Sequence, residues 1–194
     1  MGAYATLFGA GAAFVVSFTA ARNLTSHPCL YFLSRRILEL ARTVPELVFA
    51  LIFVWAFGLG PMAGVLAISL HSFGALGKLF SEINENCDLG QVRGIRATGA
   101  GWAQTMRYAV VPQVLPNFAS YALLRFEINV RAASVLGFVG AGGIGMEFYH
   151  VIKQFFYQDI SAIALMLVVT VGLIDTLSEK LRHRLIGAVD LGKM

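Results

Sequence analysis

The stretch Gly94-Ile95-Arg96-Ala97-Thr98-Gly99, which runs on to Pro116, is a polar, helix-forming segment between long apolar runs. It carries Arg96 and Arg107, and Arg93 precedes it directly. The rest of the chain is strongly apolar, since hydrophobic residues make up 57% of the 194 residues and charged residues only 13%. A soluble domain carries roughly twice that share of charge. The contrast predicts a membrane protein whose charged segment is contacted by something outside the membrane.

Five segments are apolar enough to cross a hydrocarbon core, which takes roughly 20 residues. They are residues 2–20, 37–58, 61–79, 114–135 and 160–177. Pro45 is expected to kink or restart the second helix, because proline lacks the backbone N–H. A lipid-facing sheet is excluded, since its edges would be unsatisfied in hydrocarbon. We therefore predict an all-α membrane protein of about five transmembrane helices, forming one domain over residues 1–194.

The basic residues lie in alternate connections between these spans. Arg22, Arg35, Arg36 and Arg42 precede or open the second span, Lys78, Arg93, Arg96 and Arg107 lie between the third and fourth, and Lys180, Arg182, Arg184 and Lys193 follow the fifth. The positive-inside rule makes these connections cytoplasmic, which places the amino terminus outside and the carboxyl terminus inside. Three small clusters without an aromatic stacking surface argue against nucleic-acid binding. The scattered histidines and two cysteines show no metal-ligand spacing, so no metal site is expected.

The polar segment resembles the cytoplasmic coupling loop of ABC importer permeases, in which a glycine is followed by a proline. Here Gly99 precedes Val111-Pro112, and the family's Glu-Ala-Ala corresponds to Arg93-Gly94-Ile95, so that arginine replaces the acidic residue. The residues from Gly94 onward, with Val111-Pro112-Gln113-Val114-Leu115-Pro116, resemble the phosphonate branch of these permeases. Gly90 is expected to end the preceding helix, and a second helix to run over about 91–106. The resemblance implies ATPase coupling through Arg93, Gly94, Ile95, Gly99, Trp102 and Pro112.

The coupling segment also has a hydrophobic side, formed by Ile95, Trp102 and Met106. Exposed to water, such a side would require a protein partner. The alternative is an ordinary cytoplasmic loop, for which a shorter and less apolar connection is expected.

The resemblance implies an all-α permease core of the type I importers, working as the transmembrane subunit of an importer for phosphonate or a related phosphorus oxyanion. It implies a homodimer with two ATPase subunits and a periplasmic or extracellular phosphonate-binding protein, in the lipid bilayer of the bacterial inner membrane. The chain itself is expected to be no enzyme and to bind no cofactor directly, with ATP-Mg held on the ATPase. Relative to the family, it is expected to be shortened by one span at its start. The alternative within the fold is an importer for an amino acid or a metal.

Three charged residues fall within the fourth predicted span, where ionisable groups are costly and mark a pathway or a buried pair. Helical spacing places Glu127 and Arg131 on one face and Arg125 and Asn129 on another. Glu127 and Arg131 can form an ion pair, which would then be purely structural. Arg125 has no acidic residue three or four positions away, so it either meets an anion or is neutralised by a partner on another helix. We predict that these four residues belong to the substrate pathway, with Arg125 the group that meets an anion.

A glycine-rich string follows this span, comprising Gly137, Gly140, Gly142, Gly143 and Gly145. The spacing of Gly140, Gly142 and Gly145 matches a dinucleotide fingerprint, which would make the chain a membrane-embedded NAD oxidoreductase. That fingerprint requires a preceding strand within a βαβ unit, and here a membrane helix precedes it. The family resemblance instead places the string at the outer end, beside the gate and the docking surface for the binding protein.

Overall fold

We describe a computed structural model of the chain over residues 1–25 and 27–191, with side chains described as far as residue 184. Within these residues all regular structure is helical, which confirms the predicted fold class. The helices are α1 (Gly2–Ser17), α2 (Pro28–Thr43), α3 (Glu46–Phe57), α4 (Pro61–Glu85), α5 (Leu89–Ala97), α6 (Trp102–Thr105), α7 (Val111–Leu136), α8 (Ile144–Lys153) and α9 (Tyr157–Leu191). A π-helical turn, Met106–Val110, joins α6 to α7, and a 3-10 turn, Gly137–Val139, follows α7.

Helix α4 is the centre of the bundle and packs against α1, α2, α3 and α7. At one end, which we call the basic end, α1 and α4 finish and α5 and α6 begin. The rings of Phe80 and Phe118 stack there, with centroids 4.0 Å apart. At the other end, the glycine end, the start of α4 meets the turns between α7 and α8.

The second predicted span, residues 37–58, is not one helix. Helix α2 already begins at Pro28, and Val44 has an extended backbone before α3 starts at Glu46. The predicted restart at Pro45 is confirmed, but α3 has only 12 residues, which gives a length of about 18 Å. The C-terminal half of α2 packs on α4, because Gly74 lets the backbone of Arg42 approach closely. The broken pair α2 and α3 therefore follows the length of α4.

The fourth predicted span also starts earlier than expected. The predicted span 114–135 lies inside a longer helix that contains Pro112 and Pro116 and runs continuously from Trp102 through the π-helical turn. Pro112 cannot donate a backbone hydrogen bond, and the π-helical turn Met106–Val110 directly before α7 provides the local readjustment, while Pro116 lies inside α7.

Two helices of the described chain are long and apolar enough to cross a membrane, Pro61–Glu85 and Tyr157–Arg184. A third results if Trp102–Val139 and Ile144–Lys153, bent by 42°, form one span. Gly2–Ser17 and Glu46–Phe57 are apolar but shorter. The count of five transmembrane helices therefore stays a prediction.

Candidate functional site

A chain of hydrogen bonds crosses the middle of the bundle and connects α7, α4 and α1. Arg125 Nε donates to Ser72 Oγ at 3.2 Å, and the Ser72 hydroxyl donates to Asn129 Oδ1 at 2.9 Å. Asn129 Nδ2 then donates to Thr6 Oγ1 at 2.9 Å, and Thr6 donates to the carbonyl of Gly2. Ser72 and Asn129 are completely buried. Satisfied polar networks of this kind fix side-chain positions, so the network holds Arg125 against α4.

A carboxylate on another helix acts on the positive charge of Arg125. Glu46, at the start of α3, acts on this charge at longer range, and the two side chains form no ion pair within the described residues. Glu46 Oε2 also lies 3.6 Å from His71 Nε2, while His71 Nδ1 lies 3.0 Å from the Val44 carbonyl at the helix break. The absence of a partner on its own helix, inferred from spacing, therefore does not leave Arg125 without a counter-charge.

Glu127 and Arg131 form the ion pair that their spacing allows. Arg131 also lies 3.7 Å from Asp175 of α9. A cavity of 420 Å³ adjoins this group and is lined by Arg131, Asp175, Ser134 and apolar residues of α9. The pair faces α9, whereas Arg125 and Asn129 face α4 and α1. The four predicted pathway residues are thus divided between two sides of α7.

Several polar residues at this depth were missed by the sequence reasoning. They are Thr6, Glu46, His71, Ser72 and Asp175. They are polar residues in otherwise largely apolar helices, which is the signal that could have identified them. Their pairing could not be read from spacing, since the partners are separated by as many as 123 residues.

The coupling segment consists of two helices instead of one. Helix α5 ends at Ala97, α6 begins at Trp102, and Gly99 between them has φ of +82°. The predicted continuous helix over 91–106 is wrong, because a left-handed residue cannot continue an α-helix. The expected break at Gly90 is also wrong. Gly90 lies in the first turn of α5, where its N–H is capped by the Asp88 carboxylate at 2.8 Å.

The coupling residues differ in their exposure. Arg93, Gly94, Gly99 and Pro112 are exposed, and Ile95 is half-buried. Trp102 is 46% exposed, and its indole N–H donates to the Leu24 carbonyl at 2.9 Å.

The expected hydrophobic side therefore does not point outward as a whole. Met106 is buried, and Ile95 packs against the same core cluster of the bundle. The surface that this segment presents is mainly basic, with Arg93, Arg96 and Arg107 exposed.

The basic end is held together by contacts around Glu85. Arg35 lies 3.0 Å from its carboxylate, and the backbone N–H of Arg22 donates to the same oxygen. Burial disfavours the charge of Arg35, but Glu85 and Tyr31 offset this and raise the pKa of Arg35 above its ordinary value. Asn23 donates to the carbonyls of Asn84 and Glu85. These bonds fix the turn after α1 to the end of α4.

The glycine string forms a set of backbone contacts at the glycine end. The Gly60 N–H donates to the Gly140 carbonyl at 3.0 Å. A Cβ on Gly142 would lie 2.5 Å from Pro61 N, and a Cβ on Gly137 would lie 2.5 Å from the carbonyl carbon of Gly145. No strand precedes the string within the described residues, so the dinucleotide interpretation has no structural support. Gly143 is the N-cap residue of α8.

These features define a helical membrane bundle with a basic, helix-turn-helix segment at one end and a tight glycine turn at the other. The family described as the binding-protein-dependent transport system inner membrane component matches residues 12–186. The chain belongs to this family.

Several proteins similar in sequence to this chain are named as permeases for phosphite, phosphate or phosphonate. The chain is 46% identical over 168 residues to the phosphite transport system permease protein PtxC of Stutzerimonas stutzeri, covering 87% of this chain and 61% of that protein. It is 38% identical over 186 residues to the phosphate-import permease protein PhnE of Mycolicibacterium smegmatis, covering 96% and 35%. It is 48% identical over 122 residues to the putative cryptic phosphonate transport system permease protein PhnE2 of Escherichia coli, covering 63% and 100%. The predicted resemblance is confirmed.

Solved structures show the same fold. An inward-facing structure of the MetNI methionine ABC transporter matches with a TM-score of 0.79 at 20% identity, covering 95% of this chain and 91% of that one. An amino acid ABC transporter matches with a TM-score of 0.73 at 19% identity, covering 94% and 88%. The chain spans about three fifths of the length of the phosphite permease and about a third of the phosphate permease.

Proposed function

We propose that the chain is the transmembrane subunit of an ATP-driven importer for a phosphorus oxyanion. The observation that carries this proposal is the 46% identity to a phosphite permease over 87% of the chain. Phosphite, phosphate and phosphonate, for which its relatives are named, share tetrahedral phosphorus and negatively charged oxygens. The substrate class therefore follows from what these relatives have in common.

In this function Arg125 is the group that meets the anion within the membrane. A guanidinium presents forked donors that match two oxygens of a phosphorus oxyanion. The bond to Ser72, which Asn129 holds in place, leaves the terminal nitrogens of Arg125 free of hydrogen bonds within the described residues. Glu46 supplies the counter-charge when no anion is bound. Glu127 and Arg131 serve the pathway through the packing of α7 on α9.

ATP-driven movement enters through the coupling segment. Arg93, Gly94, Ile95, Gly99, Trp102 and Pro112 form the ATPase dock in this proposal. Two features support it: the segment is exposed and basic, and Trp102 connects it to the turn after α1 through the Leu24 carbonyl. A displacement of α6 is therefore transmitted to α7, with which it is continuous through the π-helical turn.

Membership of the family supports the following assembly. Two copies of the chain, each with one ATPase subunit that holds ATP-Mg, form the translocating unit in the inner membrane. A solute-binding protein docks at the glycine end, where Gly137, Gly140, Gly142, Gly143 and Gly145 form the gate. The basic end is cytoplasmic, with the amino terminus outside. The unit alternates between states by movement of its helices around the central site.

The test is uptake by a bacterial host that lacks its own oxyanion importers and expresses the chain with its ATPase and its binding protein. Phosphite, phosphate, methylphosphonate and methionine are compared as labelled substrates. The proposal expects saturable uptake of at least one phosphorus compound and none of methionine. Uptake of methionine alone would reassign the chain to the amino-acid importers that share its fold.

A further inference from the structure

A second group of cations, separate from Arg125, lines a cavity between α2 and α4. The cavity has a volume of 450 Å³ and is lined by Arg42, His71, Ala75, Lys78, Leu79 and Glu82. This volume lies within the roughly 300–1,000 Å³ of small-molecule sites. His71 and Ser72 are adjacent on α4, yet His71 faces this cavity while Ser72 faces Arg125. The cavity is therefore beside the central network but not part of it.

The charges in the cavity are incompletely paired. Lys78 Nζ lies 3.1 Å from Glu82, whose side chain is 47% exposed, whereas the Lys78 side chain is only 17% exposed. Arg42 forms no ion pair within residues 1–25 and 27–184. His71 contacts the Val44 carbonyl and Glu46, and Glu46 does not line the cavity. Two full positive charges thus face one carboxylate at the rim.

The backbone keeps these cations together. Gly74 lets α2 approach α4 so closely that a Cβ there would lie 2.5 Å from the backbone nitrogen of Arg42. Lys78 follows Gly74 by one helical turn on α4, so that both cations border the same opening. Arg42 is exposed, whereas the Lys78 side chain is only 17% exposed, so it is the charge of Lys78 that loses hydration and gains from an anionic partner.

We propose that this cavity binds the phosphorus oxyanion at a second position, between Arg125 and the basic end. Arg42 and Lys78 contact its oxygens, and the anion replaces Glu82 as the partner of Lys78. The ligand class rests on the proposed function, whereas the anion preference rests on the cavity itself.

The charge preference can be tested without knowing the transported compound. Cys29 and Cys87 are replaced by serine in the full chain, and Ala75→Cys places one thiol in the cavity wall. The solubilised protein is then labelled with a negatively and a positively charged methanethiosulfonate, each rate being divided by its rate with a free thiol. Because clefts of one charge sign raise local counter-ion concentration at least about tenfold, we expect the anionic reagent to be favoured by about that factor.

The preference should disappear when Arg42→Gln and Lys78→Gln are combined. Arg36→Gln is the matched control: it lies on α2, is 59% exposed and pairs with Glu39 outside the cavity. Phosphite should slow labelling of the Ala75→Cys variant that keeps Arg42 and Lys78, relative to sodium chloride of equal ionic strength. Thermal unfolding of each variant shows whether it is folded.

The outcomes separate the site from the transport function. Equal normalised rates for the anionic and the cationic reagent would overturn the site even if phosphite is transported. A preference for the anionic reagent that survives the loss of Arg42 and Lys78 would do the same. A charge preference without phosphite protection, in a chain that imports phosphite, would overturn the assignment of its ligand. Phosphite protection in a chain that imports no phosphorus compound would leave the site standing and reject the proposed function.

Discussion

Adding one methyl group at the glycine end should destabilise the bundle measurably. In Gly145→Ala the new Cβ would overlap the Ser134 carbonyl oxygen and lie 3.0 Å from Gly137 Cα. Both neighbours are backbone, so the clash cannot be relieved by rotating a side chain. Overpacking costs about 1–3 kcal/mol, which is about a 5- to 150-fold change in the folding equilibrium.

The assay is thermal unfolding of the purified chain in detergent, with Gly172→Ala as the control. Gly172 is exposed on α9 and has no heavy atom within 4 Å of its ideal Cβ position. Alanine favours a helix over glycine by about 0.8–1.0 kcal/mol, so the control should unfold at the same or a higher temperature. For a chain of this size, each kcal/mol of lost stability lowers the unfolding midpoint by about 2–4 °C. A midpoint for Gly145→Ala equal to that of the wild type would refute the packing of α8 on α7.

Three further predictions concern coupling, the pathway and the topology. Gly99→Val should reduce uptake more than Gly99→Asn, because a β-branched residue tolerates φ of +82° poorly and asparagine tolerates it well; equal uptake by both would contradict this. Arg125→Gln should strongly reduce oxyanion uptake while the permease stays bound to its ATPase, whereas Arg131→Gln should mainly lower the unfolding midpoint, since it leaves its carboxylate partner unpaired. Normal oxyanion uptake by Arg125→Gln would show that Arg125 is not part of the pathway. Single cysteines at Thr98 and Gln154 should react with an impermeant thiol reagent from opposite sides of the membrane, and same-side labelling would reject the proposed orientation.

The features that local sequence determines were predictable. Apolar composition indicated a helical membrane bundle, Pro45 marked the restart of a helix, and four-residue spacing paired Glu127 with Arg131. Each of these depends on neighbours within a few residues.

The features that depend on packing were not predictable. Met106 looked like part of an exposed surface, but it is buried because α6 and its π-helical turn lie against the core. The bonds from Ser72 to Asn129 and from Asn129 to Thr6 join three helices, so no period in the sequence reveals them. Gly90 was expected to end a helix and Gly99 to lie inside one, yet of these two glycines it is Gly99 that has a positive φ.

The most direct test of the transport function is uptake into proteoliposomes that contain the chain with its ATPase and binding protein. We expect labelled phosphite or phosphate to accumulate only when the binding protein is on one side and ATP on the other. The same preparation with a hydrolysis-deficient ATPase should show no accumulation. Accumulation without ATP hydrolysis, or ATP-driven uptake of methionine but of no phosphorus compound, would contradict the account.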